Sequence, residues 1–142
     1  MLSQEELFRS LGAPLHNVRW SWGSVRPDDG SVILRVWQDE TRKFDDKLHV
    51  MITARKWFAD EPSNLGNAER LQHVEAIMNG SPSFAIMCVA VDAKASPREM
   101  ATFNKDEIFV GGNVRTADGE EWLELVKRIP TSSLRSHNTT QC

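Results

Sequence analysis

Two runs of residues with a period of two, joined by a short turn, constrain the fold of this chain more than any other feature. Val18, Trp20, Trp22 and Ser24 fall on one face of an extended segment, and Arg19, Ser21 and Gly23 on the other, because successive side chains alternate across a strand. Pro27-Asp28-Asp29-Gly30 follows. Proline presets its own φ and glycine supplies a positive one, so this segment reads as a turn. The return run puts Val32, Leu34 and Val36 on one side and Ile33, Arg35 and Trp37 on the other, and then reaches Asp39. These patterns predict a β-hairpin over 18–38.

Elements on either side follow from local signals. Ser3 with Glu6 is a capping box, Leu2 and Leu7 can staple across it, and Leu7, Phe8 and Leu11 make one apolar face. Gly12 and Pro14 stop that helix. Residues 39–46 are polar and of mixed charge, which predicts a loop. Leu48, Val50, Ile52 and Ala54 alternate with His49, Met51 and Thr53, which predicts a strand. A breaker cluster over 59–66 predicts a second loop. A helix over 68–79 would be capped by Asn67, turn Leu71, Val74, Ile77 and Met78 inward, and close at Gly80.

Phe84–Val91 is apolar throughout, the pattern of a strand covered on both faces. Ser96-Pro97-Arg98-Glu99 has the signature of a short helix start. The runs 108–115 and 122–129 read as two strands across an Asp118-Gly119 turn, with Gly111-Gly112 marking a bulge or bend. The order α-β-β-β-α-β-α-β-β predicts an α+β fold. It would hold a curled, mostly antiparallel, barrel-like sheet of about six strands with two or three flanking helices. Residues 1–129 form one expected domain, and the Ser/Thr/Asn-rich residues 130–142 a flexible tail.

Composition narrows the class. The chain has 142 residues, 40% hydrophobic and 26% charged, which is ordinary for a globular domain. It has no apolar run of bilayer-spanning length, so no membrane partner is expected. The start Met1-Leu2-Ser3-Gln4-Glu5-Glu6 does not read as a secretory signal. Cys88 and Cys142 make no disulfide framework. A cytoplasmic protein is the simplest expectation. The net charge of −3 is unevenly spread: residues 13–58 hold eight Lys/Arg against six Asp/Glu, and residues 59–142 eight against twelve. A nucleic-acid protein needs a basic face more than a basic total.

Trp20, Trp22, Trp37 and Trp57 are the main candidates for ligand contact. Base stacking on an aromatic side chain contributes about 1–3 kcal/mol. An acid such as Asp39 beside such rings can accept from an exocyclic amino group. Arg19, Arg26, Arg35, Arg42, Arg55 and Lys56 are then candidates for backbone phosphates. Same-face aromatics on a strand are also what an antiparallel core contains, and that reading stays open.

Catalytic patterns are weaker. Asp28 with Asp92-Ala93-Lys94 has the residue types of a metal-dependent nuclease, but the spacing is long and Asp28 sits in a turn. His16, His49, His73 and His137 are scattered, and neither cysteine has a ligand-spaced partner, so no metal or other cofactor is expected. Glu69, Glu75 and the acids of 118–124 read as solvated faces.

The segment Trp20-Ser21-Trp22-Gly23-Ser24-Val25-Arg26, followed by Leu34-Arg35-Val36-Trp37-Gln38-Asp39-Glu40, resembles the small PUA-like reader domains. This superfamily includes SRA and EVE domains, and such modules stand at the N-termini of some modification-dependent HNH restriction endonucleases. The likeness extends loosely through Glu69-Arg70-Leu71-Gln72-His73 and the segments 103–111 and 122–129. The resemblance implies a curled barrel that accepts a flipped, modified base between aromatics, with an acid or amide reading the base edge. Trp20, Trp22, Trp37 and Asp39 are the matching positions. The 142 residues hold no Cys/His set for an HNH domain, so the resemblance implies a reader without its nuclease.

The leading expectation is therefore a non-enzymatic nucleic-acid-binding module, with DNA preferred to RNA as the partner, acting alone or with a separate effector protein. One alternative is a small metal-dependent nuclease or nucleotide-derivative hydrolase using Asp28, Asp39 or Asp92. Another is a protein-interaction or inhibitor protein that docks through its acidic half, residues 59–142.

Overall fold

The computed structural model describes residues 4–15, 21–54, 65–91 and 100–133. Helix α1 (Gln4–Ser10) ends as the glycine signal predicts. Gly12 takes φ 80°, its N–H donates to Arg9 O at 3.0 Å, and Ala13 N–H donates to Phe8 O at 3.0 Å. Those two bonds satisfy carbonyls that a helix end would otherwise leave bare.

Strand β1 (Gly23–Val25) pairs antiparallel with β2 (Val32–Trp37), from Gly23↔Leu34 to Val25↔Val32. The predicted turn lies between them, with Gly30 at φ 76° and Arg26 N–H donating to Ser31 O at 2.8 Å. The first part of the predicted hairpin, residues 18–20, lies outside the described residues. A 3-10 turn (Gln38–Glu40) follows, then β3 (Thr41–Phe44) and β4 (Lys47–Ala54). The expected loop over 39–46 is therefore largely a second hairpin. Its turn is Asp45-Asp46, with φ 52° and 66°, between the paired Phe44 and Lys47. A two-residue turn of this hand suits the twist of the strands it joins, and aspartate tolerates it without the glycine that usually announces it.

Helix α2 (Leu65–Met78) starts earlier than expected and ends on a glycine motif like that of α1. Gly80 N–H donates to Ile77 O at 3.0 Å and Ser81 N–H to Ala76 O at 3.1 Å. Strands β5 (Ser83–Ala90), β6 (Met100–Phe103), β7 (Glu107–Ala117) and β8 (Glu120–Pro130) complete the chain. Residues 92–99, with the expected helix start, lie outside the described residues, and strand rather than helix follows at 100–103. The Asp118-Gly119 turn between β7 and β8 has φ 54° and 77°. After β8, Thr131 is buried, and its hydroxyl donates to Lys105 O at 2.8 Å. The folded part thus runs past the expected boundary at 129.

The fold is α+β, built on one mixed, mostly antiparallel sheet of eight strands rather than about six. Its order is β1-β2-β5-β7-β8-β4-β3, with β6 beside β5. Among the described residues only β2 and β5 run parallel, from Val32↔Ser83 to Trp37↔Cys88, and both are covered on two sides. On one side Val32, Leu34, Val36, Val50, Ile52, Ala85, Leu123 and Leu125 pack with Val74 and Ile77 of α2. On the other, Ile33, Ile86, Cys88 and Ile108 pack with Leu7, Phe8 and Leu11 of α1. Register shifts bracket Gly111 in the β7–β8 pairing, where the double glycine predicts a bulge. No helix among the described residues is long and apolar enough to cross a membrane.

Candidate functional site

The apolar stripe of α2 is rotated from the one expected. Val74 and Ile77 are buried as predicted, but Met78 is 59% exposed, and Arg70 and His73 turn inward. Arg70 is 3% exposed. Its guanidinium donates to three backbone carbonyls: Nη1 to Ile52 O at 2.7 Å, and Nη2 to Arg35 O at 2.6 Å and Trp22 O at 3.1 Å. Ile52 is the residue that the β4–β8 register skips between Met51 and Thr53. A bulge interrupts its ladder locally, and Arg70 supplies a donor there. Arg35 belongs to β2, which is not a sheet neighbour of β4. One side chain thus joins two strands that do not pair with each other.

The same guanidinium lies 5.6 Å from the Trp22 ring centroid, within cation–π range. Two residues on from its bonded carbonyl, β2 repeats the arrangement: Arg35 lies 5.8 Å from the Trp37 ring. The backbone ties these pairs together, because Arg35 N–H donates to Trp22 O at 2.8 Å. Glu69, next to Arg70, accepts from the Ser21 hydroxyl at 3.2 Å. Trp22 and Trp37 are both half-buried, and Trp37 packs partly against the α1-side core.

Electrostatics follow from burial. Desolvation lowers the Arg70 pKa to about 9, with Arg35 lowering it further and Glu40 and Glu69 opposing. Arg70 therefore stays charged at neutral pH. Burial also lowers Arg35, against the opposing influence of Cys88. His73 is lowered to about 4, first by burial and then by Arg70, so its ring is neutral at pH 7. Burial pushes the Cys88 thiol up to about 12, which leaves it an unreactive core group. Two carboxylates, Glu40 and Glu69, thus partly offset the charge of Arg70. Arg70 Nε and His73 Nδ1 are buried without a hydrogen-bond partner among the described residues.

No family model, curated protein sequence or solved structure matches this chain. Its site is read from its own residues.

The structure brings together Trp22, Arg35 and Trp37, with Asp39 exposed in the 3-10 turn just beyond Trp37. Trp20, Arg19, Arg55, Lys56 and Trp57 lie outside the described residues. The six cations expected to meet phosphates divide sharply where they are described. Arg26 is 1% exposed and ion-paired with Asp29 at 3.6 Å, so it does not face solvent. Arg35 is half-buried and lies over the Trp37 ring instead.

Arg42 is exposed but lies elsewhere, on the outer face of β3. It stacks 4.6 Å from Phe44 and pairs with Asp118 at 3.4 Å. Arg115 stacks on Phe44 at the same 4.6 Å and pairs with Asp45 at 2.9 Å. Each arginine therefore binds the turn aspartate of the other hairpin.

Sequence patterning missed Glu40, Arg70 and His73, and read Glu69 as solvated. The signal for Arg70 was present: with Val74 and Ile77 it forms an i, i+4, i+7 stripe. A charged residue at the head of an apolar stripe marks a buried ionic group. Asp28 of the hydrolase alternative is exposed in the hairpin turn, and Asp92 lies outside the described residues. Among the described residues no group of three or more His, Cys, Asp or Glu side chains could hold a metal.

Proposed function

We propose that this protein is a non-enzymatic nucleic-acid-binding module of PUA-like type, reading a base, with DNA preferred to RNA, through a pocket walled by Trp22 and Trp37. The observation that carries this reading is the paired Arg–Trp arrangement. Two half-buried indoles on adjoining backbone segments each have a guanidinium within 6 Å, at 5.6 and 5.8 Å. Such rings offer stacking surfaces whose sequence tolerance suits any base. Asp39 stands at the rim as the hydrogen-bond acceptor for an exocyclic amino group. The carboxylates Glu40 and Glu69, which offset Arg70, favour an uncharged ligand part, a base rather than its phosphate, at the buried end.

In this reading the sheet curls like a barrel, and the Arg70 bridge between β2 and β4 supports that curl. Backbone phosphates fall to exposed cations: Arg42, with Arg19, Arg55 and Lys56 as further candidates from the sequence. The residue types match the modified-base readers that the hairpin resembles, so a modified cytosine is the first ligand to try. A separate effector would then supply any cleavage. The acidic-half alternative has less to rest on, because Asp118, Glu124 and Glu107 are paired with Arg42, Lys47 and Arg128.

Titration with unmodified, 5-methylcytosine and 5-hydroxymethylcytosine duplexes, and with single strands, tests this directly. Salt-dependent binding that Trp37→Ala weakens by about 1–3 kcal/mol is the expected result. No salt-dependent binding to any of these nucleic acids sinks it.

A further inference from the structure

We infer that Arg70 is the positioning residue of this pocket: it holds Trp22 in place through the backbone, without itself reading the ligand. The inference rests on the base-reading proposal for its functional half and on geometry for the rest. Regular β1 pairing begins only at Gly23, so Trp22 lies just before the strand. Helix α2 holds this point twice, Glu69 on the Ser21 hydroxyl at 3.2 Å and Arg70 on the Trp22 carbonyl at 3.1 Å. Arg70 also fixes the next wall, because the Arg35 carbonyl that it binds at 2.6 Å is two residues from Trp37. One guanidinium therefore sets the spacing between the two tryptophan-bearing segments, and its third bond, to Ile52 O at 2.7 Å, fixes both against β4.

The chemistry of the side chain matters as much as its charge. A guanidinium presents donors in a flat, rigid fork, which is how one residue reaches three carbonyls of different segments. A lysine ammonium is a point charge with no such span, so Arg70→Lys keeps the charge and loses the geometry. A buried cation is also a costly way to fill this space if packing were all that was needed, since apolar groups of similar volume are often as good or better.

The experiment compares wild type, Arg70→Lys and the milder Glu69→Ala, each kept well below its melting temperature. Binding is measured to a duplex carrying 5-methylcytosine in a mismatch, and to the same duplex with an abasic site there. Arg70→Lys is expected to lose at least about tenfold of the discrimination between the two duplexes, with Glu69→Ala losing less. The salt slope of binding should hold, because phosphate contacts lie elsewhere. In the ligand-free protein, the Trp22 indole resonance should shift, and the Arg35 amide should exchange faster in Arg70→Lys.

An unchanged Trp22 resonance and unchanged Arg35 exchange overturn the positioning role, whatever happens to binding. A variant that weakens both duplexes equally also overturns it, because a merely structural clip behaves that way. Failure of the wild type to bind any duplex sinks the base-reading proposal instead, and the ligand-free measurements tell the two failures apart.

Discussion

His73 should make this fold acid-labile in a way that one substitution removes. Its ring is 7% exposed, Arg70 stands nearby, and Nδ1 has no partner among the described residues. The folded state therefore resists protonation, with a pKa lowered from the ordinary 6.5 to about 4. The unfolded chain binds a proton below about pH 6.5 and the folded chain does not until about pH 4, so stability rises with pH across that window. The contribution is fully present above pH 6.5 and is lost as the pH falls toward 4. At about 1.4 kcal/mol per pH unit, the loss between pH 7.5 and pH 4.5 is on the order of 2–3 kcal/mol. Carboxylates titrate in the same range, so the informative quantity is a difference. Urea denaturation at both pH values for wild type and His73→Gln should show the variant losing on the order of 2–3 kcal/mol less than wild type. Equal losses in the two proteins would refute the reasoning, and a His73 resonance titrating near 6.5 would do so independently.

Two further predictions concern the sheet. A Cβ at Gly111 would overlap the Ser83 hydroxyl and approach the Leu123 methyls to 3.0 and 3.1 Å; Gly111→Ala should therefore cost about 1–3 kcal/mol by denaturant titration, and adding Ser83→Ala should recover part of that loss. Asp46 takes φ 66° in the β3–β4 turn, so Asp46→Gly should stabilise the protein by about 0.5–1 kcal/mol, whereas an unchanged or lowered midpoint would show that the aspartate side chain has a local role.

Much of the fold was legible because it is written in local signals. Gly12 and Gly80 end their helices by the same pair of hydrogen bonds, and Asp118-Gly119 turns β7 into β8. The uniform apolarity of Phe84–Val91 predicts a doubly covered strand, and β5 is one. Strand β3 was hidden because Asp45-Asp46 makes a tight turn without glycine, and because Arg42 and Lys43 face solvent at the sheet edge. The parallel β2–β5 pairing was hidden for a different reason: it joins residues some fifty positions apart, and no local pattern carries that information. The site was legible only in its walls. Trp22, Arg35 and Trp37 stand out by type and spacing, but periodicity alone cannot say whether an arginine on a strand points to solvent or lies over an indole. Arg26 is buried, Arg35 half-buried and Arg42 exposed, although all three look alike in the sequence.

That difference bears on how a ligand site is built on such a sheet. Strand alternation would send Trp22 and Ser21 to opposite faces. Helix α2 holds both, with adjacent residues Glu69 and Arg70 bonding adjacent residues Ser21 and Trp22. The Trp22 segment thus depends on one helix face, and that face also carries Val74 and Ile77 into the main core. Packing of α2 and the placement of Trp22 are therefore coupled: a core substitution such as Ile77→Ala should cost stability and also loosen Trp22. Removing Arg42, which stacks on Phe44 instead, should leave Trp22 unchanged. A site placed where a helix meets two strands that do not pair with each other gains a rigid support from the core.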